Sequence, residues 1–225
     1  MSQSHTTYIS SSIKYFFTQH MINSETNRPG FDRRMSKDEI NDCPIARWKG
    51  PVSVVRTKEE LVTAMEKLTG HTLLGFDTET RPAYTKGESY PPALLQLASE
   101  TDVFIFQFKH LGLGKPLRKI LTDPNIIKAG VSLDYDIREL KKMSHFKAAG
   151  FMDLGDIAKK GGIKNHGLRG LAAVLLGVRI AKGAQTSNWA KDVLTPHQIQ
   201  YAATDAWIGR KLYLALERVT SKDAA

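Results

Sequence analysis

Residues 72–80 read TLLGFDTET, an apolar run that ends in two acids one residue apart, Asp77 and Glu79. No other stretch limits the possible folds so tightly. The run has the length and composition of a buried strand. A carboxylate at the end of such a strand costs several kcal/mol unless something compensates it. Side chains at i and i+2 of a strand share a face, so the two acids project together and could share a divalent cation. The competing arrangement is an exposed edge with two solvated acids, and the apolar residues directly before them weigh against it.

The surrounding pattern says what the strand belongs to. VSVV (52–55) reads as a short strand. TKEELVTAMEKL follows as a helix, with Thr57 as N-cap, Glu60 completing a capping box, and Leu61, Met65 and Leu68 on one face. TLLGFD, PPALLQLAS and DVFIFQF are strands whose short connections fit antiparallel neighbours. KPLRKILTD then reads as helix, NIIKAG as a short buried strand and SLDYDIRELKKM as helix. FMDLGDIAKK and HGLRGLAAVLLG lead through VRIAKGAQTSNW to a long last helix, capped by Thr195 with Pro196 at its first position. Antiparallel strands followed by strands alternating with helices predict an α/β fold, a mixed sheet flanked by helices.

That regular pattern predicts one domain over residues 50–220. Residues 1–49 differ: the first twenty are rich in Ser and Thr, and no acid precedes Glu25. They read as an N-terminal extension or arm, partly disordered, with MSKDEINDCPIARWKGP forming a short helical turn into the domain or an arm laid across it. A degenerate organelle-targeting segment ranks lower, because no arginine precedes Arg28.

Charge and composition narrow the partners. The net charge is +9, and the segment from Lys109 to Lys182 carries fifteen Lys/Arg against six Asp/Glu, which equals the whole excess. A basic surplus gathered in one segment suggests a polyanion, nucleic acid ahead of a membrane surface. The single cysteine, Cys43, excludes an intramolecular disulfide and a cysteine-rich zinc site and fits a reducing compartment. The seven histidines show no HExxH-like spacing. No apolar run approaches the ~20 residues of a membrane span. The expected location is intracellular, most simply cytoplasmic.

Two further acids sit where a fold could bring them to the strand end: Asp136 in the middle helix and Asp205 in the last. Tyr201 precedes Asp205 by four residues and therefore lies on the same helical face, and the small residues between them would let that face approach a sheet closely. GFDTET, KAGVSLDYDIREL and SNWAKDVLTPHQIQYAATDAW, in that order and spacing, resemble the three motifs of the DEDD 3′–5′ exonuclease superfamily over roughly residues 50–220. The match is to the tyrosine subtype, which includes the Werner syndrome-type exonuclease domain, ribonuclease D and the proofreading domain of DNA polymerase I. Of these three, the chain looks most like the Werner-type domain. The other branch has a histidine five residues before the last acid; Gln200 stands there, and Tyr201 occupies the tyrosine position.

The resemblance implies a ribonuclease H-like fold and two divalent cations, Mg²⁺ or Mn²⁺, held by Asp77, Glu79, Asp136 and Asp205. Asp77 would bridge both, Glu79 and Asp205 would complete one site, and Asp136 would support the other. Hard oxygen ligands suit these ions better than zinc. Two cations about 4 Å apart can activate water and stabilise the leaving oxygen of a phosphodiester. Tyr201 would orient the attacking water, since a phenol with a pKa near 10 is a poor base at neutral pH. The implied activity is 3′–5′ exonuclease, releasing nucleoside 5′-monophosphates from the 3′ end of DNA, with RNA left open as a further substrate. The alternatives are a ribonuclease D-like RNA processor and an inactive nucleic-acid-binding module of the same fold. Presence of all four acids and the tyrosine argues against the inactive module. The chain ends shortly after the third motif, without the helical domains that usually follow a ribonuclease D-type nuclease. Monomer and ring-forming homo-oligomer both stay open.

Other residues carry weaker signals. Asp134 competes with Asp136, but two positions turn a helix by about 200°, so both cannot face the site. Asp153 and Asp156 read as caps or helix-start residues, and His197 as a surface residue. LGLGKP lacks phosphate-loop spacing. GGIKNHG reads as a flexible connector whose neighbours Lys160 and Lys164 could touch a phosphate. Lys141, Lys142 and Arg169 are candidate phosphate contacts against the simpler reading of a solvated face. Trp189 could stack on a base, although packing that anchors its loop is the stronger expectation.

Overall fold

The computed structural model describes residues 29–221, with side chains to residue 217. The expectation of a disordered tail or targeting segment falls largely on residues 1–28, outside the described residues. Strand β1 (Val52–Val55) leads to helix α2 (Lys58–Leu68), the first helix of the domain proper; α1 (Lys37–Asp42) lies in the preceding arm. Both helices begin on a reciprocal capping box, Ser36 with Glu39 and Thr57 with Glu60. The pairing satisfies otherwise orphaned amide donors and fixes where each helix starts.

Six strands form one sheet. After β1 come β2 (Leu73–Thr80), β3 (Pro92–Ala98), β4 (Val103–Gln107), β5 (Ile127–Gly130) and β6 (Phe151–Asp153), in the spatial order β1-β4-β3-β2-β5-β6. The β2-β3-β4 pairings are antiparallel, whereas β1-β4, β2-β5 and β5-β6 are parallel. This is the mixed sheet anticipated from the pattern of short and long connections. The last strand of the antiparallel set stops at Gln107, and Phe108 opens the short helix α3 (Phe108–Leu111) instead of continuing it.

Strand alternation sorts the core into two faces. Leu74, Phe76, Leu95, Leu97, Phe104 and Phe106 point to one side, where they pack with α2, α4 (Lys115–Thr122) and α5 (Leu133–Met143). Leu94, Ala98, Val103 and Ile105 point to the other, under the long helix α8 (Pro196–Ser221). Helices α6 (Leu154–Lys160) and α7 (Leu168–Leu176) complete the layer beside α8. Each large apolar side chain buried this way contributes about 1.5–3 kcal/mol. Lys128 on β5 is also fully buried. Its ammonium donates to the carbonyls of Ile120 (3.0 Å), Asp123 (2.7 Å) and Ile126 (2.7 Å), and burial lowers its pKa to about 8.

The arm is pinned along its described length. Met35 N–H donates to Asn165 Oδ1 (2.8 Å), while Asn165 Nδ2 returns a bond to Met35 O (3.2 Å). Arg179 reaches Cys43 O (3.0 Å), Trp48 N–H donates to Thr204 Oγ1 (3.1 Å), and Gln200 Nε2 donates to Trp48 O (2.7 Å). Asn165 lies in GGIKNHG, expected as a flexible connector. That expectation is corrected: the arm clamps the segment from outside, and Lys164 N–H also donates to Gly30 O (2.7 Å).

Candidate active site

Strand β2 presents Gly75, Asp77 and Glu79 on the face that α8 covers, and Gly75 sets how closely the helix comes. A Cβ there would lie 1.9 Å from the Ala206 carbonyl oxygen, so only glycine permits the approach. Gly209 repeats the arrangement against the Ala129 carbonyl, with 2.7 Å to a notional Cβ. Ala202, Ala203 and Ala206 fill the rest of the contact and are fully buried. The helix starts where Thr195 and Gln198 cap each other: Gln198 N–H donates to Thr195 Oγ1 (3.2 Å), and Thr195 N–H to Gln198 Oε1 (3.0 Å). With start and spacing defined, Tyr201 and Asp205 face the strand acids. Carboxylate oxygens of Asp77, Glu79 and Asp205 lie within 4.8 Å of one another.

Asp136 arrives from α5. It stands outside that triple, accepts a hydrogen bond from Thr78 Oγ1, and lies near enough for its charge to act on Asp77 and Glu79. The helix starts abruptly, with Ser132 in the left-handed region (φ 64°, ψ 43°). Asp153 stabilises that start: one oxygen accepts from Leu133 N–H (2.7 Å), the other from Gly155 N–H (2.9 Å) and Asp156 N–H (3.2 Å). One carboxylate thus caps two helices, which fits its reading as a cap. Asp134 is exposed, on the far side of α5 from the half-buried Asp136.

Burial dominates the electrostatics. It raises the Asp77 carboxyl well above the ordinary range, with repulsion from Asp205 and Asp136 adding to the effect. Glu79 is pushed to about 10, by burial first and then by Asp77, Asp205 and Asp136. Asp205 is pushed to about 7 by burial, partly offset by the Tyr201 hydroxyl beside it. Asp136 is also raised by burial, against which Thr78 acts. The Tyr201 hydroxyl itself is raised by burial and by the neighbouring acids, so it stays protonated. Among the described residues no Lys or Arg forms an ion pair with any of the four acids. Asp205 Oδ1 is buried without a hydrogen-bond donor. This is a site built for positive charge that the protein itself does not supply. All-oxygen donors suit a hard divalent cation.

Asp77, Glu79, Asp205 and Tyr201 line an open cleft of about 590 Å³, whereas Asp136 is not in its wall. Arg34, Lys37, Arg169 and Lys182 stand in its wall with Asn165 and His166. Arg169, a candidate phosphate contact, is therefore at the cleft, steadied by a hydrogen bond to Asn41 Oδ1. Lys141 and Lys142 are not in the cleft wall, and Lys142 is engaged with Glu139 (2.8 Å). Trp189 as a stacking platform is corrected outright. It is fully buried, tilted against Tyr201 with ring centroids 5.9 Å apart, and has no face left for a base. His197 is exposed near the helix start. Arg34 and Lys37 were missed in the sequence, since the arm has no periodicity that would direct a side chain to the site. Thr78 was missed too, because its partner is 58 positions away.

A family model described as 3′–5′ exonuclease matches residues 52–221. The chain belongs to the 3′–5′ exonuclease family. Among curated relatives, the mouse bifunctional 3′–5′ exonuclease/ATP-dependent helicase WRN is 32% identical over 156 residues. That alignment takes in 67% of this chain but only 11% of the relative. Among solved structures, the Nibbler EXO domain of Aedes aegypti superimposes with a TM-score of 0.70 at 21% identity, covering 79% of this chain and 94% of that one. Escherichia coli RNase D, an exoribonuclease involved in structured RNA processing, gives 0.68 at 21% identity, covering 77% and 46%. These two likenesses show the fold, which is the ribonuclease H-like sheet of this exonuclease family. The family is divalent-metal dependent, and the acidic cluster is of the kind such an ion requires.

Proposed function

We propose that this chain is a metal-dependent 3′–5′ exonuclease that hydrolyses the terminal phosphodiester bond of a nucleic-acid strand and releases nucleoside 5′-monophosphates. DNA is the first substrate to test and RNA the second. The observation that carries the reading is the convergence of Asp77 and Glu79, half-buried, and Asp205, buried, within 4.8 Å and without a protein cation.

Asp77, Glu79 and Asp205 would hold one divalent cation, and Asp77 with Asp136 a second, Mg²⁺ or Mn²⁺ in both places. When bound, such cations supply Lewis-acid activation of water and neutralise charge on the phosphoryl oxygens. The chain's own residues do the positioning. Tyr201, held protonated, offers a hydroxyl beside Asp205 that can orient the attacking water without acting as its base. Thr78 donates to Asp136 and acts against the burial that raises its pKa, which favours the ionised form a cation needs. Arg169 faces the cleft, where a guanidinium can pair with a backbone phosphate. No helix among the described residues is long and apolar enough to cross a membrane.

The test uses 5′-labelled single-stranded DNA, recessed-end duplex DNA and single-stranded RNA, each with Mg²⁺, Mn²⁺ or EDTA. A ladder shortening from the 3′ end, abolished by EDTA and by the Asp77→Ala, Glu79→Ala double substitution, is the expected result. No shortening of any strand with either metal, despite retained binding, would sink the enzymatic reading.

A further inference from the structure

The arm before the matched segment supplies part of the cleft. The family match begins at residue 52, yet Arg34 and Lys37 line the same cleft as Asp77, Glu79, Tyr201 and Asp205. Both side chains are exposed, and among the described residues neither forms an ion pair. Their neighbour Arg33 is committed differently, with two guanidinium bonds to Glu39 at 2.8 and 2.6 Å. That pair, with the Ser36–Glu39 capping box, stiffens the turn that carries Arg34 and Lys37.

We infer that residues 29–42 form a substrate-binding wall in which Arg34 and Lys37, together with Arg169, contact backbone phosphates of the strand entering the site. The inference rests on the exonuclease reading and extends it to the length of strand engaged. Three observations support it independently of the acids. First, the arm is anchored on the segment that borders the cleft, by the two Asn165–Met35 bonds and by Lys164 N–H to Gly30 O. A preordered wall loses little entropy when the strand binds. Second, Asn41 of the arm accepts from Arg169, so the arm also steadies a cleft arginine of the domain. Third, Arg34, Lys37, Arg169 and Lys182 gather positive charge in the wall of the one cleft that the acids also line, which favours a polyanionic strand there.

The experiment measures binding, so it does not depend on turnover. The 225-residue chain carrying Arg34→Ala/Lys37→Ala is compared with the native chain by fluorescence anisotropy. The probes are a single-stranded 12-mer and a trinucleotide, with Ca²⁺ in place of Mg²⁺ and salt as the variable. Loss of two single-strand phosphate contacts should lower the salt slope of log K by about 1.4. The Kd for the 12-mer should rise about tenfold or more, and that for the trinucleotide by less than about threefold. The swap Arg34→Lys/Lys37→Arg, which keeps both charges, should restore most of the 12-mer affinity. An unchanged salt slope and 12-mer Kd overturn the inference. So does an equal loss on both probes, because that marks a general disturbance of the site. Strand shortening by the native protein in Mg²⁺, scored separately, decides the exonuclease reading, so the two can fail apart.

Discussion

Thr78 and Asp136 are joined by a hydrogen bond although Thr78 lies on the face of β2 opposite Asp77 and Glu79. The strand thereby reaches the fourth acid with a side chain that points away from the first two. Alternation along one strand serves both faces of the sheet, and the second face holds Asp136 in place.

Thr78→Val keeps the side-chain volume and removes the donor. The hydrogen bond lowers the Asp136 pKa against the effect of burial, so its loss raises that pKa further and weakens Asp136 as a ligand. A hydrogen bond to a charged group is worth about 1.5–3 kcal/mol. The Mg²⁺ concentration for half-maximal strand shortening should rise by about tenfold or more, with the melting temperature within a few degrees of native. Metal titration of the rate, beside a thermal melt, checks both.

Stability should fall with rising pH when metal is withheld. In the unfolded chain these carboxyls lose their protons near pH 4. In the folded protein Asp205 keeps its proton to about 7 and Glu79 to about 10. Between those limits the folded state binds more protons, so raising the pH favours unfolding. Melts in EDTA should therefore be lower at pH 9 than at pH 5. Mg²⁺, which binds the ionised form, should shrink that difference. Equal melting temperatures across the range in EDTA would contradict the described burial of the acids.

Asp77→Asn replaces a carboxyl whose ionisation burial and its acidic neighbours oppose with a neutral amide. It should abolish strand shortening to below about 10⁻³ of native while raising the melting temperature in EDTA at pH 8 by a few degrees. A variant that is inactive and less stable would mean that Asp77 has a structural partner.

Gly75→Ala should be severe although it adds one methyl. Its Cβ would stand 1.9 Å from a main-chain oxygen, which no rotamer change relieves. A cost of about 3 kcal/mol or more is expected. A urea midpoint measures it, and activity should fall too, since α8 carries Asp205 and Tyr201.

Trp189→Ala should cost about 3–5 kcal/mol, the range for emptying a buried aromatic site. Trp189→Phe should recover most of this and bind strands like the native protein. A selective loss of strand affinity in the phenylalanine variant would restore the stacking role that burial removes.

The acids were legible because period and spacing act locally. Two residues apart on a strand and four apart on a helix are geometric statements that need no tertiary structure, and they made Asp77, Glu79, Tyr201 and Asp205 candidates; the resemblance to three ordered exonuclease motifs then joined them to Asp136 in one site. The boundaries set by Thr57–Glu60 and Thr195 were legible for the same reason. What escaped depends on distant chain. Trp189 sits in a loop where no period says in or out. Asn165 looks like part of a flexible run until Met35 is placed against it. Arg34 and Lys37 lie in a segment held by a few hydrogen bonds and single apolar contacts such as Phe31, which make no periodic stripe that a sequence would show.

At the closest approach of β2 and α8, Gly75 meets the main chain of Ala206 and the Cβ of Arg210, atoms whose positions no rotamer changes. The separation of Asp77 from Asp205 is therefore set by covalent dimensions, as in a ruler, and not by how large side chains happen to settle. Substitutions elsewhere in the hydrophobic layers can accumulate over generations without moving the two acids apart. A lineage carrying this joint is free to drift in its core and in its surface, and still deliver the same geometry to a phosphate.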